Sequence, residues 1–459
     1  MRILMLGWEF PPFIAGGLGT ACFGLTRALD RLGHRILFIL PQPVDAQRSH
    51  VELLSPMNHG KRVRTRVSGV AGVTGPVEAE DEDPEGEFSH TVFRGVSASF
   101  TSPYPAFNVA TGQWEAVGEQ EGGGSALGNA TSIVGVAAST PGSITFSNTG
   151  HAYGSDLVGD AERYARLVVA VAHREAFDVI HAHDWLTFPA GSALSQVTGK
   201  PWLAHVHSTE YDRSGDNINR RIYEIERRGM HAAGRVIAVS AYTKSICATR
   251  YAVNPSKVDV VYNGIDDERH QPQPGEGIRP NDRIVLFLGR ITMQKGPEYF
   301  IQAAKRVLEK VEDVKFVVAG SGDMATRMIE LAASLGIGHK VLFTGFLRGP
   351  DVERVFRMAD CYVMPSVSEP FGLVALEALK HDVPVIISKQ SGVSEVLTHV
   401  LKVDFWDIDE MANKIIAVLR HPPLGRTMVE HGSVELHRLT WEVAAEKCLK
   451  AYGRAASTV

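Results

Sequence analysis

The chain has 459 residues, enough for two or three domains at about 150 residues each. Its composition, 44% hydrophobic and 22% charged, is ordinary for a globular protein and gives no support for a fibrous or mainly disordered chain. The net charge of −5 argues against a nucleic-acid-binding surface. An acidic run at 77–88 carries seven of the acids, so the rest of the chain is nearly neutral.

The four cysteines show no spacing typical of a disulfide framework or a zinc site; they are Cys22, Cys247, Cys361 and Cys448. This pattern fits a reducing cytoplasm. The first apolar stretch, RILMLG, is too short for the core of a signal peptide, and no run of about 18 apolar residues is present. We therefore expect an unexported, cytoplasmic protein without a transmembrane segment.

Short apolar runs alternate with helical patterns, which is typical of parallel strands joined by crossover helices. A first series of strands is predicted at 2–7, 35–41, 178–183, 202–207, 235–240 and 258–264. A second series is predicted at 283–289, 314–320, 340–346, 361–366 and 384–389. The predicted fold class is α/β, with two doubly wound parallel-sheet domains. Ligands bind beyond the carboxyl ends of such strands, so two facing domains define a cleft.

A segment rich in Pro and Gly, residues 271–280, separates the two series and is predicted to be the interdomain linker. We expect an N-terminal domain at 1–270, a C-terminal domain at 281–435, and a final helix within 436–459 that crosses back onto the first domain. Residues 110–150 are rich in Gly, Ser, Thr and Ala and are predicted to be a mobile insertion.

The stretch EPFGLVALE at 369–377 places two glutamates at the ends of an apolar segment. Pro370 suits the first turn of a helix, which puts Glu369 in the preceding loop and Glu377 about two turns into a buried helix. A buried carboxylate needs hydrogen bonds, either from ligand hydroxyls or from a structural ion-pair partner. Glu369 has the simpler alternative of favouring the N-terminal dipole of the helix.

The stretch FLGRITMQKGPEYF at 287–300 predicts an anion site. Arg290 and Lys295 lie in a short loop after a strand, and a helix begins near Gly296. Arg can hold a phosphate through two parallel hydrogen bonds, Lys adds a point charge, and the helix N-terminus adds backbone N–H groups. The alternative is that both cations are ordinary solvated surface residues.

Two motifs of the N-terminal half are weaker signals. Gly16, Gly17 and Gly19 lie between the first strand and an amphipathic helix, where glycines allow close approach to phosphate, although the spacing is not that of a dinucleotide-binding turn. In HAHDW, His181 and His183 are expected to point to opposite faces of the strand, with His183 nearer the cleft.

A buried histidine bonded to the backbone is the simpler interpretation of either residue. A metal site is not predicted, because no third ligand is recognisable near the two histidines. The segment HVHSTEYDRSGDN at 205–217 gathers polar side chains after a strand, without an assigned role.

Together these stretches resemble the retaining glycosyltransferases of family 4, in particular bacterial glycogen and starch synthase-like members. The resemblance covers most of the chain. It is carried by AGGLG (15–19), HAHDW (181–185), HVHSTEYDRSG (205–215), VIAVS (236–240), VYNGID (261–266), GRITMQKG (289–296), AGSGD (319–323), TGFL (344–347), EPFGLVALEAL (369–379) and SGVSEVL (391–397). It implies the GT-B fold, two Rossmann-like domains around a cleft. The combination of GRxxxxKG with the later EPFGLVxLE is the specific part.

The resemblance implies a donor that is a nucleoside-diphosphate sugar such as UDP-glucose or ADP-glucose, a carbohydrate acceptor, and no further cofactor or metal. The resemblance implies that the departing diphosphate is held by Arg290 and Lys295 and approached by Gly16 and Gly17. It implies that Glu377 binds the ribose, that Glu369 contacts the transferred sugar, and that His183 contacts this sugar near the reacting carbon. The backbone of Gly372 and Leu373 is implied to meet phosphate or sugar.

Two departures separate the chain from the glycogen synthases proper. Ala15 stands where those enzymes usually have Lys, and SGVSEVL stands where they carry a Gly-Gly motif. Both favour family 4, and they weaken the case for α-glucan synthesis from ADP-glucose. Three alternatives stay open from sequence: a glucan phosphorylase, a nucleotide-sugar epimerase of the same fold, and a non-catalytic sugar-nucleotide-binding subunit. The sequence leaves the acceptor, the base and sugar of the donor and the oligomeric state open.

Overall fold

A computed structural model describes residues 1–10, 16–43, 90–98, 106–108, 113–115, 157–266 and 283–457. The acidic run, the predicted linker at 271–280 and most of the predicted insertion at 110–150 lie outside these ranges. Of the insertion, only residues 113–115 are described, as one strand of a short antiparallel pair. Within the described ranges, no helix has both the length and the apolar character needed to cross a membrane.

The first domain is built on a seven-stranded sheet in which every neighbouring pair is parallel. The strands described in this half are β1 (Arg2–Leu6), β2 (Arg35–Pro43), β3 (Thr91–Ala98), β4 (Ala106–Asn108), β5 (Gln113–Glu115), β6 (Val179–His183), β7 (Trp202–Val206), β8 (Arg235–Ala238) and β9 (Val258–Val260). The sheet order is β3-β2-β1-β6-β7-β8-β9, and β4 and β5 form the separate antiparallel pair.

Apolar clusters cover both faces of this sheet, as expected of a doubly wound domain. Its helices are α1 (Gly17–Arg31), α2 (Leu157–Ala172), α3 (Phe188–Thr198), α4 (Glu210–Ser214), α5 (Arg220–Ala232) and α6 (Ala241–Tyr251). Strands buried on both faces read as continuous apolar runs, which explains why β1 has no polar alternation.

The second domain repeats the plan with a six-stranded parallel sheet. Its strands are β10 (Arg283–Leu288), β11 (Val314–Ala319), β12 (Val341–Gly345), β13 (Cys361–Met364), β14 (Val385–Ser388) and β15 (Leu401–Val403), in the order β12-β11-β10-β13-β14-β15. Its helices are α7 (Pro297–Leu308), α8 (Ala325–Ser334), α9 (Pro350–Met358), α10 (Leu373–Lys380), α11 (Ile408–Arg420) and α12 (Pro422–Leu436).

The last helix, α13 (Trp441–Ala456), packs on the first domain, although it follows the second in sequence. Its apolar side chains join the cluster that contains α1, and Gly24 of α1 has no room for a Cβ because the Trp441 ring occupies that space. The chain therefore crosses between the two sheets a second time after Leu436. The predicted fold class is confirmed; β3, the short β15 and the antiparallel pair of β4 and β5 are additional strands that the apolar pattern did not reveal.

Candidate active site

The cationic loop after β10 and the acidic loop after β13 meet in an ion pair. Lys295 Nζ lies 2.5 Å from Glu369 Oε2, with exposed side-chain fractions of 21% and 8%. The Ser366 hydroxyl donates to the same carboxylate oxygen at 3.1 Å. Strands β10 and β13 are neighbours in the sheet, so their carboxyl-terminal loops are adjacent. The largely buried pair has few competing waters, and breaking it costs more than breaking an exposed one.

The backbone of the cationic loop is tied to the acidic loop through Gln294. Its carbonyl accepts a hydrogen bond from Val367 N at 2.9 Å, and its side-chain oxygen accepts one from Arg290 at 3.1 Å. Gly296 follows with a φ of +62°, and a Cβ there would be 2.2 Å from the Pro365 carbonyl oxygen. Only glycine allows this turn and this contact, so Gly296 lets Lys295 face Glu369.

Helix α10 begins at Leu373, after Gly372, whose φ is +113°. The prediction that Pro370 occupies the first turn is therefore wrong. The backbone turns at Gly372 instead, while the Pro370 carbonyl accepts a hydrogen bond from Ser240 Oγ of the first domain at 2.6 Å. Its N-cap, Gly372, has no side chain to cap the helix, so the first N–H groups, which begin near Leu373, have no capping side chain among the described residues and can meet a ligand.

Glu377 is the fifth residue of α10, little more than one turn from its N-terminus. Desolvation raises the pKa of this carboxyl group, and the charge of Lys380 partly opposes the shift. The side chain is half-buried, and it makes no hydrogen bond or ion pair with any residue in the described ranges. After burial, the charges of Glu369 and Glu377 both help to raise the pKa of Tyr362, so the two carboxylates lie near the same side chain.

The glycine turn of the first domain lies across from α10. Gly16 is the N-cap of α1 and makes no side-chain cap, and Gly17 is its first residue. A Cβ on Gly17 would meet no heavy atom of the described residues within 4 Å, so space remains beside it. Leu18 and Leu373 both pack against the apolar cluster that contains α1, which brings the N-termini of α1 and α10 to the same interdomain region.

His181 and His183 lie on the same side of β6, with ring centroids 4.3 Å apart, so the prediction that they point to opposite faces is wrong. Residues two apart in a strand share a side, which the prediction overlooked. His183 bonds to His207 at 3.0 Å, and His181 bonds to His205 at 2.9 Å and to Tyr452 at 2.6 Å. These partners are side chains, not the backbone that the simpler interpretation assumed.

His205 is the third member of a cluster with His181 and His183. It comes from the neighbouring strand β7, so its spacing in the sequence did not reveal it. One ligand atom from each of His181, His183 and His205 lies within 4.8 Å of the others. Both ring nitrogens of His181 already have protein partners, whereas the buried Nε2 atoms of His183 and His205 have none in the described part of the chain. The absence of a metal stays a prediction.

Burial keeps the histidine cluster neutral. It lowers the pKa of His181 to about 3, with a smaller effect from His207, and it lowers the pKa of His207 to about 3. Burial also lowers the pKa values of His183 and His205 far below 6.5. A neutral Nε2 can donate or accept a hydrogen bond depending on its tautomer, so the two unpartnered atoms suit a hydroxyl group better than an anion.

The two domains also touch through contacts that sequence analysis missed. Glu395, in the SGVSEVL motif, accepts hydrogen bonds from the backbone N–H of Ala241 at 2.9 Å and of Tyr242 at 2.6 Å. These N–H groups begin α6, so a carboxylate of the second domain occupies a helix N-terminus of the first. In the sequence, the one indication of this contact was that the SGVSEVL motif and the start of α6 both follow predicted strands. The loops of the two sheets therefore face each other directly.

Comparison with known proteins agrees with this architecture. Residues 268–433 match the family model of glycosyl transferases group 1, residues 154–269 match glycosyltransferase family 4, and residues 2–109 match the starch synthase catalytic domain. The chain is 32% identical to an uncharacterized glycosyltransferase of Methanocaldococcus jannaschii over 296 residues, 61% of this chain and 75% of that protein. It is 25% identical to a glycogen synthase of Mycobacterium tuberculosis over 401 residues, 86% of this chain and 80% of that protein.

Two solved structures resemble the whole chain. Sucrose-phosphate synthase from Thermosynechococcus elongatus superposes with a TM-score of 0.70 at 18% identity and covers 100% of both chains. The Anabaena protein HepE, solved in complex with UDP and glucose, superposes with a TM-score of 0.65 at 16% identity and covers 99% of both chains. The chain therefore belongs to the glycosyltransferases, enzymes that transfer a sugar, and has the GT-B fold of two facing domains.

Proposed function

We propose that this chain is a retaining glycosyltransferase that moves a hexosyl group, most simply glucosyl, from a nucleoside-diphosphate sugar to a carbohydrate acceptor. The observation that carries the proposal is the pairing of Lys295 with Glu369 at 2.5 Å, with Arg290 on the same loop. The cation and the acid lie together at the carboxyl ends of adjacent strands, so the cation can bind the diphosphate and the acid the sugar of one donor molecule.

Arg290 and Lys295 are proposed to bind the donor diphosphate and to stabilise it as it leaves. Breaking a glycosyl-phosphate bond builds negative charge on the diphosphate, so preorganised cations bind the transition state more tightly than the ground state. In the free protein Glu369 neutralises Lys295. When a diphosphate binds, Lys295 would exchange part of this contact for phosphate, and Glu369 would turn its free oxygen toward sugar hydroxyls.

The remaining residues are proposed to orient the donor. Glu377 would accept hydrogen bonds from the two ribose hydroxyls, which matches a half-buried carboxylate that has no partner among the described residues. The N–H groups of Gly372 and Leu373, and the backbone of Gly16 and Gly17 with the open space beside Gly17, would meet phosphate or sugar. The unpartnered Nε2 of His183 would contact the sugar near the reacting carbon.

Retention is proposed to result from attack by the acceptor hydroxyl on the face from which the diphosphate departs. The acceptor oxygen forms the new bond to the anomeric carbon, the bond to the phosphate oxygen breaks, and that oxygen takes the acceptor proton. We nominate no residue of the chain as a covalent nucleophile. Bound cations of the protein supply the charge stabilisation, so we expect no metal requirement.

UDP-glucose and ADP-glucose are the donors we favour. The similar Anabaena protein was solved in complex with UDP and glucose, and one relative is a glycogen synthase, whose acceptor class would be an α-glucan. We also propose a cytoplasmic location, which is supported by four cysteines that are all free and buried.

The test is a panel of nucleotide sugars offered with glycogen, maltooligosaccharides and simple sugars, scored by nucleoside diphosphate released and by the anomeric configuration of the product. We expect one donor to be consumed in the presence of an acceptor, with retained configuration. Inverted product would contradict the proposed mechanism. Conversion of the donor without any acceptor would favour an epimerase, and dependence on phosphate and pyridoxal phosphate would favour a phosphorylase.

A further inference from the structure

A serine next to the acidic loop connects the two domains. Ser368 directly precedes Glu369, and its hydroxyl donates to Asp212 Oδ1 at 2.5 Å, while the Tyr242 hydroxyl lies 3.0 Å from Ser368 Oγ. Ser368 is 9% exposed and Asp212 is 1% exposed. Asp212 and Tyr242 belong to the first domain and Ser368 to the second, so these hydrogen bonds are made across the interdomain contact.

Asp212 is held rigidly on its own side. Its other oxygen, Oδ2, accepts hydrogen bonds from the backbone N–H and the hydroxyl of Thr209, both at 2.7 Å. Thr209 is the N-cap of α4, and its side chain in turn accepts from Asp212 N, so the pair forms a reciprocal capping box. A buried carboxylate with three hydrogen bonds has little freedom to turn.

The acidic loop is held from the other side by its own domain. Val367 N donates to the Gln294 carbonyl, and the Ser368 N–H lies 3.5 Å from the same oxygen. Helix α4 also packs against the turn Met293–Lys295 of the cationic loop. The short segment that ends in Glu369 is therefore fixed between Gln294 of its own domain and Asp212 of the other.

We propose that Asp212 is a positioning residue which, through Ser368, sets the Glu369 carboxylate and its Lys295 partner for the reaction when the two domains are together. The inference rests on the proposed function of Glu369 and Lys295. It assigns a role to the STEYD segment, which sequence analysis left unassigned. An aspartate that only stabilised the interdomain contact would affect folding but would not change the turnover of the folded enzyme.

The experiment measures kcat and KM for the donor in Ser368→Ala, Asp212→Asn and the double variant of the full chain. We expect kcat to fall at least tenfold in each single variant, since a small displacement of a group that acts in the transition state can cost up to about a hundredfold. The KM for the donor should change less than threefold, and the double variant should be no slower than Ser368→Ala, because both changes act on the same hydrogen bond.

The control is Asp259→Asn, which removes a carboxylate paired with Arg235 in the first domain, away from this contact. Its kcat should equal that of the wild type even where its stability falls. If Ser368→Ala and Asp212→Asn keep the kcat of this control while the wild type is active, the positioning role is wrong and the proposed function stands. Should Ser368→Ala fail to fold, Asp212→Asn decides alone. A wild type that releases no diphosphate from any donor overturns both.

Discussion

Glu369 and Glu377 carry the same functional group in two different surroundings. Glu369 is 6% exposed and its charge is balanced by Lys295. Glu377 is half-buried without a hydrogen-bonding partner in the described part of the chain, and its raised pKa reflects this cost. A desolvated carboxylate without hydrogen bonds is unfavourable in the free protein. Ligand hydroxyl groups that donate to it would offset this cost, so the position of Glu377 favours donor binding.

Glu377→Gln should weaken binding of the nucleoside diphosphate about tenfold, because a hydrogen bond to a charged group is worth about 1.5–3 kcal/mol and the amide retains part of it. The unfolding free energy should stay equal or rise, since a desolvated carboxyl group is removed. Calorimetric titration with UDP and ADP measures the first effect and urea unfolding the second. Glu353→Gln on α9, where the carboxylate pairs with Arg357, is the control. Unchanged affinity in Glu377→Gln would remove the ribose role.

Among the helices, α10 depends on the backbone of one residue. Gly372 has a φ of +113°, and a Cβ there would lie 2.9 Å from Met364 Cε and 3.1 Å from Val393 Cγ1. A side chain would therefore meet both an unfavourable backbone conformation and tight packing. The helix N-terminus that faces the first domain depends on this glycine.

Gly372→Ala should lower the unfolding free energy by about 1–3 kcal/mol and reduce donor affinity, because the N–H groups at the start of α10 would shift. Gly453→Ala is the matched control, since Gly453 lies inside α13 with open space beside it and alanine there should stabilise the helix by about 0.5–1 kcal/mol. Urea unfolding measures the unfolding free energy of both variants, and donor titration measures their donor affinity. Equal effects of the two substitutions would contradict the role given to the Gly372 turn.

Sequence patterns predicted the strands of the two large sheets except β3 and β15, but they did not predict the turns between the strands. Parallel strands buried on both faces are continuous apolar runs, so β10 and β13 could be predicted, and with them the loops that carry Lys295 and Glu369. The start of α10 could not, because proline suits both a first helical turn and the loop before it. The turn at Gly372 and the contact of the Pro370 carbonyl with Ser240 hold Pro370 in the loop.

At the scale of the whole molecule, contacts between distant segments are what sequence reasoning could not supply. Asp212 and Ser368 are 156 positions apart and belong to different domains, so nothing local predicts their hydrogen bond. The histidine cluster is a similar case, because His205 reaches His181 only through the order of strands in the sheet. Local sequence patterns predict helices and strands, whereas the candidate site also depends on contacts between helices, strands and loops that are far apart in the sequence.

The three buried histidines of the cluster, together with the half-buried His207, predict how stability depends on pH. In the unfolded chain each imidazole takes up a proton below pH 6.5, whereas in the folded chain His181 and His207 stay neutral down to about pH 3. The unfolded state therefore binds more protons in this window. The histidine contribution to stability is complete above pH 6.5 and is lost as the pH falls toward 3.

His181→Gln should reduce the slope of unfolding free energy against pH by about 1.4 kcal/mol per pH unit between pH 4.5 and 6, the amount for one proton. Glutamine can still bond to Tyr452 and His205, so the protein should fold. Urea unfolding at a series of pH values measures the slope, and His339→Gln, at an exposed position, should leave it unchanged. A wild-type slope in His181→Gln would contradict the neutral, buried cluster.

The most direct test of the account is the rate of nucleoside diphosphate release, at saturating donor and acceptor, in Arg290→Ala and Lys295→Ala. If both cations stabilise the departing diphosphate, each substitution should lower kcat by about 10²–10³, as loss of one such donor does in other enzymes, while cooperative unfolding shows that the fold is kept. Release at the wild-type rate in either folded variant would contradict the central claim.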